Sequence, residues 1–112
     1  RAKLHGLRVT GADITYHGSV TLDPEHCAAA GIYPLEFVNI WNKNTGTRIS
    51  TYVIYGEPGS RCCILNGAAA RLGHPGDLII AITYAQMDTT AAAEHKPIMV
   101  HVDEQNRITE MT

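Results

Sequence analysis

The feature that most constrains this chain is its punctuation: about seven short apolar or alternating runs, each cut off by Gly, Pro, Asn or Asp. Leu78 to Tyr84 is the most apolar run and reads as a buried strand. Leu4 to Thr10 and Ile14 to Leu22 read as half-buried strands separated by a turn at Gly11-Ala12-Asp13. Phe37 to Trp41 and Arg48 to Tyr55 flank the turn cluster Asn42 to Gly46, which predicts a hairpin. Cys62 to Leu65, Ile98 to Val102 and Arg107 to Met111 complete the set. Helix is confined to short pieces. Asp23-Pro24 is a cap followed by Pro in the first turn, and the helix it opens runs to Gly31. Ala68 to Leu72 allows one or two turns stopped by Gly73, and Asp88 to His95 a last short helix. Short strands at this spacing with so little helix predict a small closed β-barrel.

A length of 112 residues suits one domain with one core. A net charge of -2, with Lys and Arg few and scattered, argues against a nucleic-acid partner, which would need a basic face. The longest apolar run is far too short to span a bilayer and the start has no apolar signal region, so no membrane partner is expected. Cys27, Cys62 and Cys63 form neither a disulfide framework nor a zinc spacing. Reduced thiols in the cytoplasm are the expectation, with Cys62 or Cys63 facing the core. Because the first residue is Arg1 and not Met, a short leader is expected to precede it.

One stretch breaks its own pattern. In Tyr16-His17-Gly18-Ser19-Val20-Thr21 a Gly-Ser pair interrupts the alternation of Ile14, Tyr16, Val20 and Leu22. Glycine weakens a strand unless the backbone must bend or be closely approached. Here it also leaves the carbonyl before a serine hydroxyl almost unshielded, so the peptide bond becomes a candidate reactant. From these residues alone the pair reads as a bulge or a turn, since such pairs are common in strands. His5 and His17 flank this region but suggest no third ligand, so no metal is expected. Trp41 reads either as packing at a subunit boundary or as a binding platform.

Several separated stretches together carry a resemblance. They are Lys3-Leu4-His5, Val9-Thr10 with Ala12-Asp13, Tyr16-x-Gly18-Ser19 with Thr21 and Asp23, Asn44-x-Gly46-x-Arg48 with Thr51-Tyr52, Asn66-Gly67-Ala68-Ala69-Ala70, and Gly76-Asp77. In this order, over most of the chain, they resemble the pyruvoyl-dependent aspartate 1-decarboxylases. Gly6 departs from the pattern, which commonly has Arg after Lys-Leu-His.

The resemblance implies a mainly β fold, a six-stranded double-psi β-barrel with short helices, assembled as a cytoplasmic homotetramer with active sites between subunits. It implies an inactive precursor that cuts itself between Gly18 and Ser19, leaving a 1–18 chain and a 19–112 chain that begins with a pyruvoyl group made from Ser19. The reaction implied is L-aspartate to β-alanine and carbon dioxide through a Schiff base, for pantothenate and coenzyme A synthesis, without pyridoxal phosphate or metal. By the same matching Thr51 is the oxyanion donor in processing and a substrate contact, and Tyr52 is the proton donor. Arg48 and Lys3 are the substrate's cationic anchors, and Asn66, Gly67, Ala68 and Ala69 form the substrate-binding run.

The chemistry suits these residue types. A Ser19 hydroxyl one residue from the Gly18 carbonyl has the proximity advantage of intramolecular reactions, and the developing oxyanion needs a donor such as Thr51. Arg48 offers a planar fork for a carboxylate. A phenol such as Tyr52 is protonated at neutral pH and can return a proton to a carbanion. Strand alternation nevertheless puts Arg48, Ser50 and Tyr52 on one face and Ile49, Thr51 and Val53 on the other. A bulge, a strong twist, or contributions from two subunits would reconcile them. Two alternatives stay open: a non-cleaving barrel kept for binding or oligomerisation, and a decarboxylase acting on glutamate, since one methylene is worth only about 1–3 kcal/mol. A helper protein for maturation is left open as well.

Overall fold

The computed structural model describes residues 1–112. Nine strands form one hydrogen-bonded series: β1 Ala2–Arg8, β2 Gly11–Asp13, β3 Ser19–Leu22, β4 Phe37–Asn42, β5 Arg48–Tyr55, β6 Cys63–Asn66, β7 Leu78–Thr83, β8 Ile98–Val102 and β9 Ile108–Met111. Two short helices, α1 Pro24–Ala30 and α2 Thr89–Glu94, and a 3-10 turn at Gly67–Arg71 join them. The protein is mostly β with short helices, as its punctuation predicts.

Strand order explains how the barrel closes. Neighbours run β2-β6-β3-β5-β4-β7-β1-β8-β9, and β1 and β2 are consecutive pieces of the same stretch. At their junction the Val9 N–H donates to Asp77 O on the β7 side, while the Thr10 N–H donates to Cys63 O on the β6 side. The stretch Ala2–Asp13 is therefore one wall, and the ring of six runs from it through β6, β3, β5, β4 and β7 back to it. The β3–β5 and β2–β6 pairings are parallel, and β8–β9 is a hairpin added outside the ring on β1. A single core of 18 buried side chains fills the interior, with Leu4, Leu7, Val20, Leu22, Val38, Val53, Leu65, Ile79 and Val100 fully buried.

A side chain completes the wall where β8 leaves β1 and β6 has not yet arrived. Asn106 accepts the Arg8 N–H at 2.7 Å and donates Nδ2–H to the carbonyls of Arg8 and Arg61. It thus stands in for a strand at that gap. To do so it takes a left-handed backbone, φ 59°, which Asn tolerates. The ring Nε2 of buried His26 bonds the Asn106 carbonyl at 2.7 Å.

Two readings need correction. Gly11-Ala12-Asp13, expected as a turn, is strand β2, because parallel pairing with Ile64, Leu65 and Asn66 outweighs its local turn preference. Ile14 to Gly18, expected as strand, is an exposed loop opened by an Asx turn in which the Thr15 N–H and hydroxyl both bond Asp13. The strand begins only at Ser19, so the Gly18-Ser19 pair lies at a strand entrance and not in a strand interior.

Asp23 ties the end of β3 to the rest. It caps α1 by accepting the Glu25 N–H, and it also accepts the N–H groups of Gly59 and Arg61. The helix ends at Gly31, as the sequence predicted, and the Gly31 φ of 73° makes it a left-handed stop. Burial would raise the Asp23 pKa, but the three backbone donors outweigh it and hold the carboxyl below the ordinary 3.8. Its contribution to stability is therefore complete above that value and drains as pH falls through the lower folded value. We expect Asp23→Ala to cost about 2–4 kcal/mol, since it removes a cap and strands three N–H groups. Urea unfolding of both proteins should show this gap at neutral pH and a smaller one in strong acid.

Candidate active site

Ser19 opens β3 opposite Asn66, the last residue of β6, and both are buried. The Asn66 amide donates to the Ser19 hydroxyl at 2.9 Å and to the Thr21 hydroxyl at 2.8 Å. Ser19 in turn donates to the His17 carbonyl at 3.2 Å. The Ser19 hydroxyl is thus held at a fixed place against the exposed loop that carries the Gly18 carbonyl.

Beside it lies a cavity of about 180 Å³ lined by Gly18, Ile49, Ser50, Thr51, Ala68, Ala69 and Leu72. Four of the expected residues, Gly18, Thr51, Ala68 and Ala69, therefore share one space; Ser19 follows Gly18 and pairs with Asn66 across the β3–β6 ladder, and Gly67 stands next to Ala68 at the start of the 3-10 turn. Gly67 opens the 3-10 turn with φ 65°. Ile49, Ser50 and Leu72 are wall residues that sequence reasoning missed. Ile49 was within reach, since it shares Thr51's face of β5; nothing local marks Leu72.

Lys3, Arg48 and Tyr52 are elsewhere. The β4–β5 register runs without a shift from Phe37↔Tyr52 to Trp41↔Arg48, so no bulge rotates β5. Thr51 points inward with Val53, while Arg48 and Tyr52 are exposed. On that outer face His101, His5, Ile80, Trp41 and Arg48 are successive cross-strand partners, and Met99, Lys3, Ile82, Asn39 and Ser50 form the adjacent row. Lys3, Arg48 and Tyr52 thus belong to a common surface, and none of them lines the Gly18 cavity. The Arg48 guanidinium lies 4.1 Å from the centroid of the Trp41 ring, which makes Trp41 a platform for that cation. His5 meets His101 at 5.3 Å between ring centroids. Burial first, then the nearby Lys43, His101 and Lys3, holds the His5 imidazole below its ordinary pKa.

His17 lies apart from His5, edge-on to Tyr16, and no three His, Cys, Asp or Glu side chains gather as a metal site would require. All three cysteines are free thiols; burial first, then Asp23, pushes Cys27 up to about 12. Cys63 is the member of the adjacent pair that joins the core. No helix is long and apolar enough to cross a membrane.

The family profile described as "Aspartate decarboxylase" matches residues 1–109. The chain belongs to the aspartate decarboxylase family. An aspartate 1-decarboxylase of Xanthobacter autotrophicus is 60% identical over 107 residues, covering 96% of this chain and 71% of that protein. One of Agrobacterium fabrum is 57% identical over 108 residues, covering 96% and 70%. One of Rhodospirillum centenum is 76% identical over 80 residues, covering 71% and 53%. Membership in the aspartate decarboxylase family makes this a decarboxylase, a carboxy-lyase, and agrees with the resemblance drawn from its motifs.

Proposed function

We propose that this chain is a self-processing decarboxylase of L-aspartate whose prosthetic group is a pyruvoyl made from its own Ser19. The observation that carries the reading is the buried Ser19 hydroxyl, held by Asn66 at the rim of the cavity that Gly18 and Thr51 share. In processing, Ser19 Oγ attacks the Gly18 carbonyl carbon and Thr51 steadies the oxyanion. The C–N bond breaks, leaving an ester and a free amine. Elimination releases Gly18 as a carboxylate, and water then displaces the nitrogen of residue 19 as ammonia. The result is chains 1–18 and 19–112.

The donor set fits a pyruvoyl at position 19: the Ser19 side chain is buried, Asn66 offers an amide N–H at that point, and Ala68 and Ala69 bring only small side chains near it. The group supplies a carbonyl that takes up the electrons left when carbon dioxide departs. The protein's own residues do the rest. Arg48 and Lys3 bind the two carboxylates, the Asn66 to Ala69 run floors the pocket, and Tyr52 delivers a proton from its phenol to the carbanion.

Since Lys3, Arg48 and Tyr52 lie on the outer face, the complete site needs that face of a neighbouring copy, as in a homotetramer. Exposed Phe37, Tyr52, Tyr33 and Leu35 supply apolar area for such contacts. Free thiols suit the cytoplasm.

The test is a denaturing mass spectrum of the incubated chain together with carbon dioxide release from L-aspartate. An intact mass with no release would sink the proposal. Tyr52→Phe should cleave normally yet turn over about 100-fold more slowly, the usual contribution of a positioned general acid, with little change in KM. Equal turnover would remove Tyr52 from the proton step.

A further inference from the structure

We propose, on the self-cleavage reading above, that Gly67 is a positioning residue for the cut: its missing side chain is the seat on which the scissile loop rests. A Cβ placed on Gly67 would stand 2.8 Å from both Gly18 N and Gly18 Cα, and 3.0 Å from the Tyr16 carbonyl oxygen. All three neighbours are backbone, so no side chain can swing aside to make room. Gly18 itself is different, because a Cβ there would meet nothing within 4 Å. The steric demand for glycine near the scissile bond therefore sits at residue 67, forty-nine positions along the chain from the bond it serves.

The loop has few other restraints. Ile14 to Gly18 are exposed, and the loop's own side-chain ties are the Asx turn at Asp13 and the bond from Ser19 to His17 O. The nucleophile, by contrast, is fixed from the β6 side by the ladder and by Asn66. Asn66 and Gly67 thus act on the two reactants from adjacent positions, one gripping the hydroxyl and the other letting the Gly18 backbone come close.

Adding a methyl group at residue 67 forces the Gly18 backbone outward by about 0.6 Å to reach an ordinary 3.4 Å contact. Ser19 Oγ stays where Asn66 holds it, so the attack geometry opens. Displacements of this size cost intramolecular reactions about 10- to 100-fold in rate.

The experiment follows cleavage of freshly made wild-type, Gly67→Ala and Gly46→Ala chains by denaturing mass spectrometry, timing only the folded fraction from gel filtration. Gly46 shares the left-handed backbone, φ 78°, but has open space where a Cβ would go, so it reports backbone strain without the clash. Gly46→Ala should yield fragments 1–18 and 19–112 at the wild-type rate, and Gly67→Ala about 10- to 100-fold more slowly. Uncleavable Ser19→Ala and Ser19→Ala/Gly67→Ala chains, compared by thermal unfolding, separate stability from positioning. A small shift in midpoint beside a large loss of cleavage rate supports the proposal. Gly67→Ala cleaving as fast as Gly46→Ala overturns it and leaves self-cleavage standing. A Gly67→Ala chain with no folded fraction assigns Gly67 to folding and also overturns it. A wild-type chain that never cleaves overturns both this inference and the reading on which it rests.

Discussion

Ser19→Ala is expected to leave a chain that folds, runs as one uncut mass and releases no carbon dioxide from aspartate. The change should be nearly all-or-none, because it deletes the attacking atom and with it the source of the reactive carbonyl. Little else depends on that hydroxyl. It accepts from Asn66 and donates to a carbonyl in an exposed loop. When it is gone, the Asn66 amide still has Thr21 Oγ1 at 2.8 Å, so the lost bond costs only about 1 kcal/mol. Chemistry and folding are thus separable at this position. Mass spectrometry, carbon dioxide release and urea unfolding on the same preparation make the check. An active Ser19→Ala protein would remove residue 19 from the mechanism.

How much of this was legible beforehand depends on the range of the interaction concerned. Asp23-Pro24 and Gly31 bounded α1 correctly because caps and left-handed stops are local chemistry. The Phe37 to Tyr55 hairpin was legible for the same reason. Ile14 and Tyr16 misled because alternation counts apolar side chains without knowing whether anything covers them. They are 54% and 51% exposed, and their spacing carried the expected strand five residues too far toward the N-terminus. Gly11–Asp13 failed in the opposite sense, since its strand character comes from β6, some fifty residues away. Asn106 could not be foreseen at all. It looks like an ordinary turn residue, and its role rests on two backbone carbonyls and an N–H far along the chain.

At the site, residue types were legible and their grouping was not. On β5 Thr51 faces in and Arg48 and Tyr52 face out, as strand alternation predicts, and the unbroken register excludes a bulge as the reconciliation. The side chains of Arg48 and Tyr52 leave β5 on the side opposite Thr51, and of that outer set only Ser50, next to Thr51 in the chain, reaches the cavity's edge. Separation of the Gly18 cavity from the Lys3, Arg48 and Tyr52 face is therefore a consequence of strand geometry.

That separation yields a second large effect, in mixtures of copies. Arg48→Ala should fold and cleave, because Arg48 is exposed and its contact with Trp41 at 4.1 Å is worth only about 1 kcal/mol. Its turnover should fall about 100-fold or more through loss of a carboxylate anchor. Ser19→Ala alone should be inactive. If the outer face of one copy completes the cavity of another, co-expressing the two defective chains must rebuild intact sites. Such a site takes the cleaved residue 19 from the Arg48→Ala chain and the arginine from the Ser19→Ala chain. With equal amounts and random assembly of a symmetric oligomer, about a quarter of sites receive both, so activity should return to about a quarter of wild type. Carbon dioxide release from co-purified, differently tagged chains measures it. If Arg48 instead served the Ser19 of its own chain, no site could combine the two intact residues, and the mixture would be no more active than its parts. Only a site shared between copies lets two dead chains make a working one.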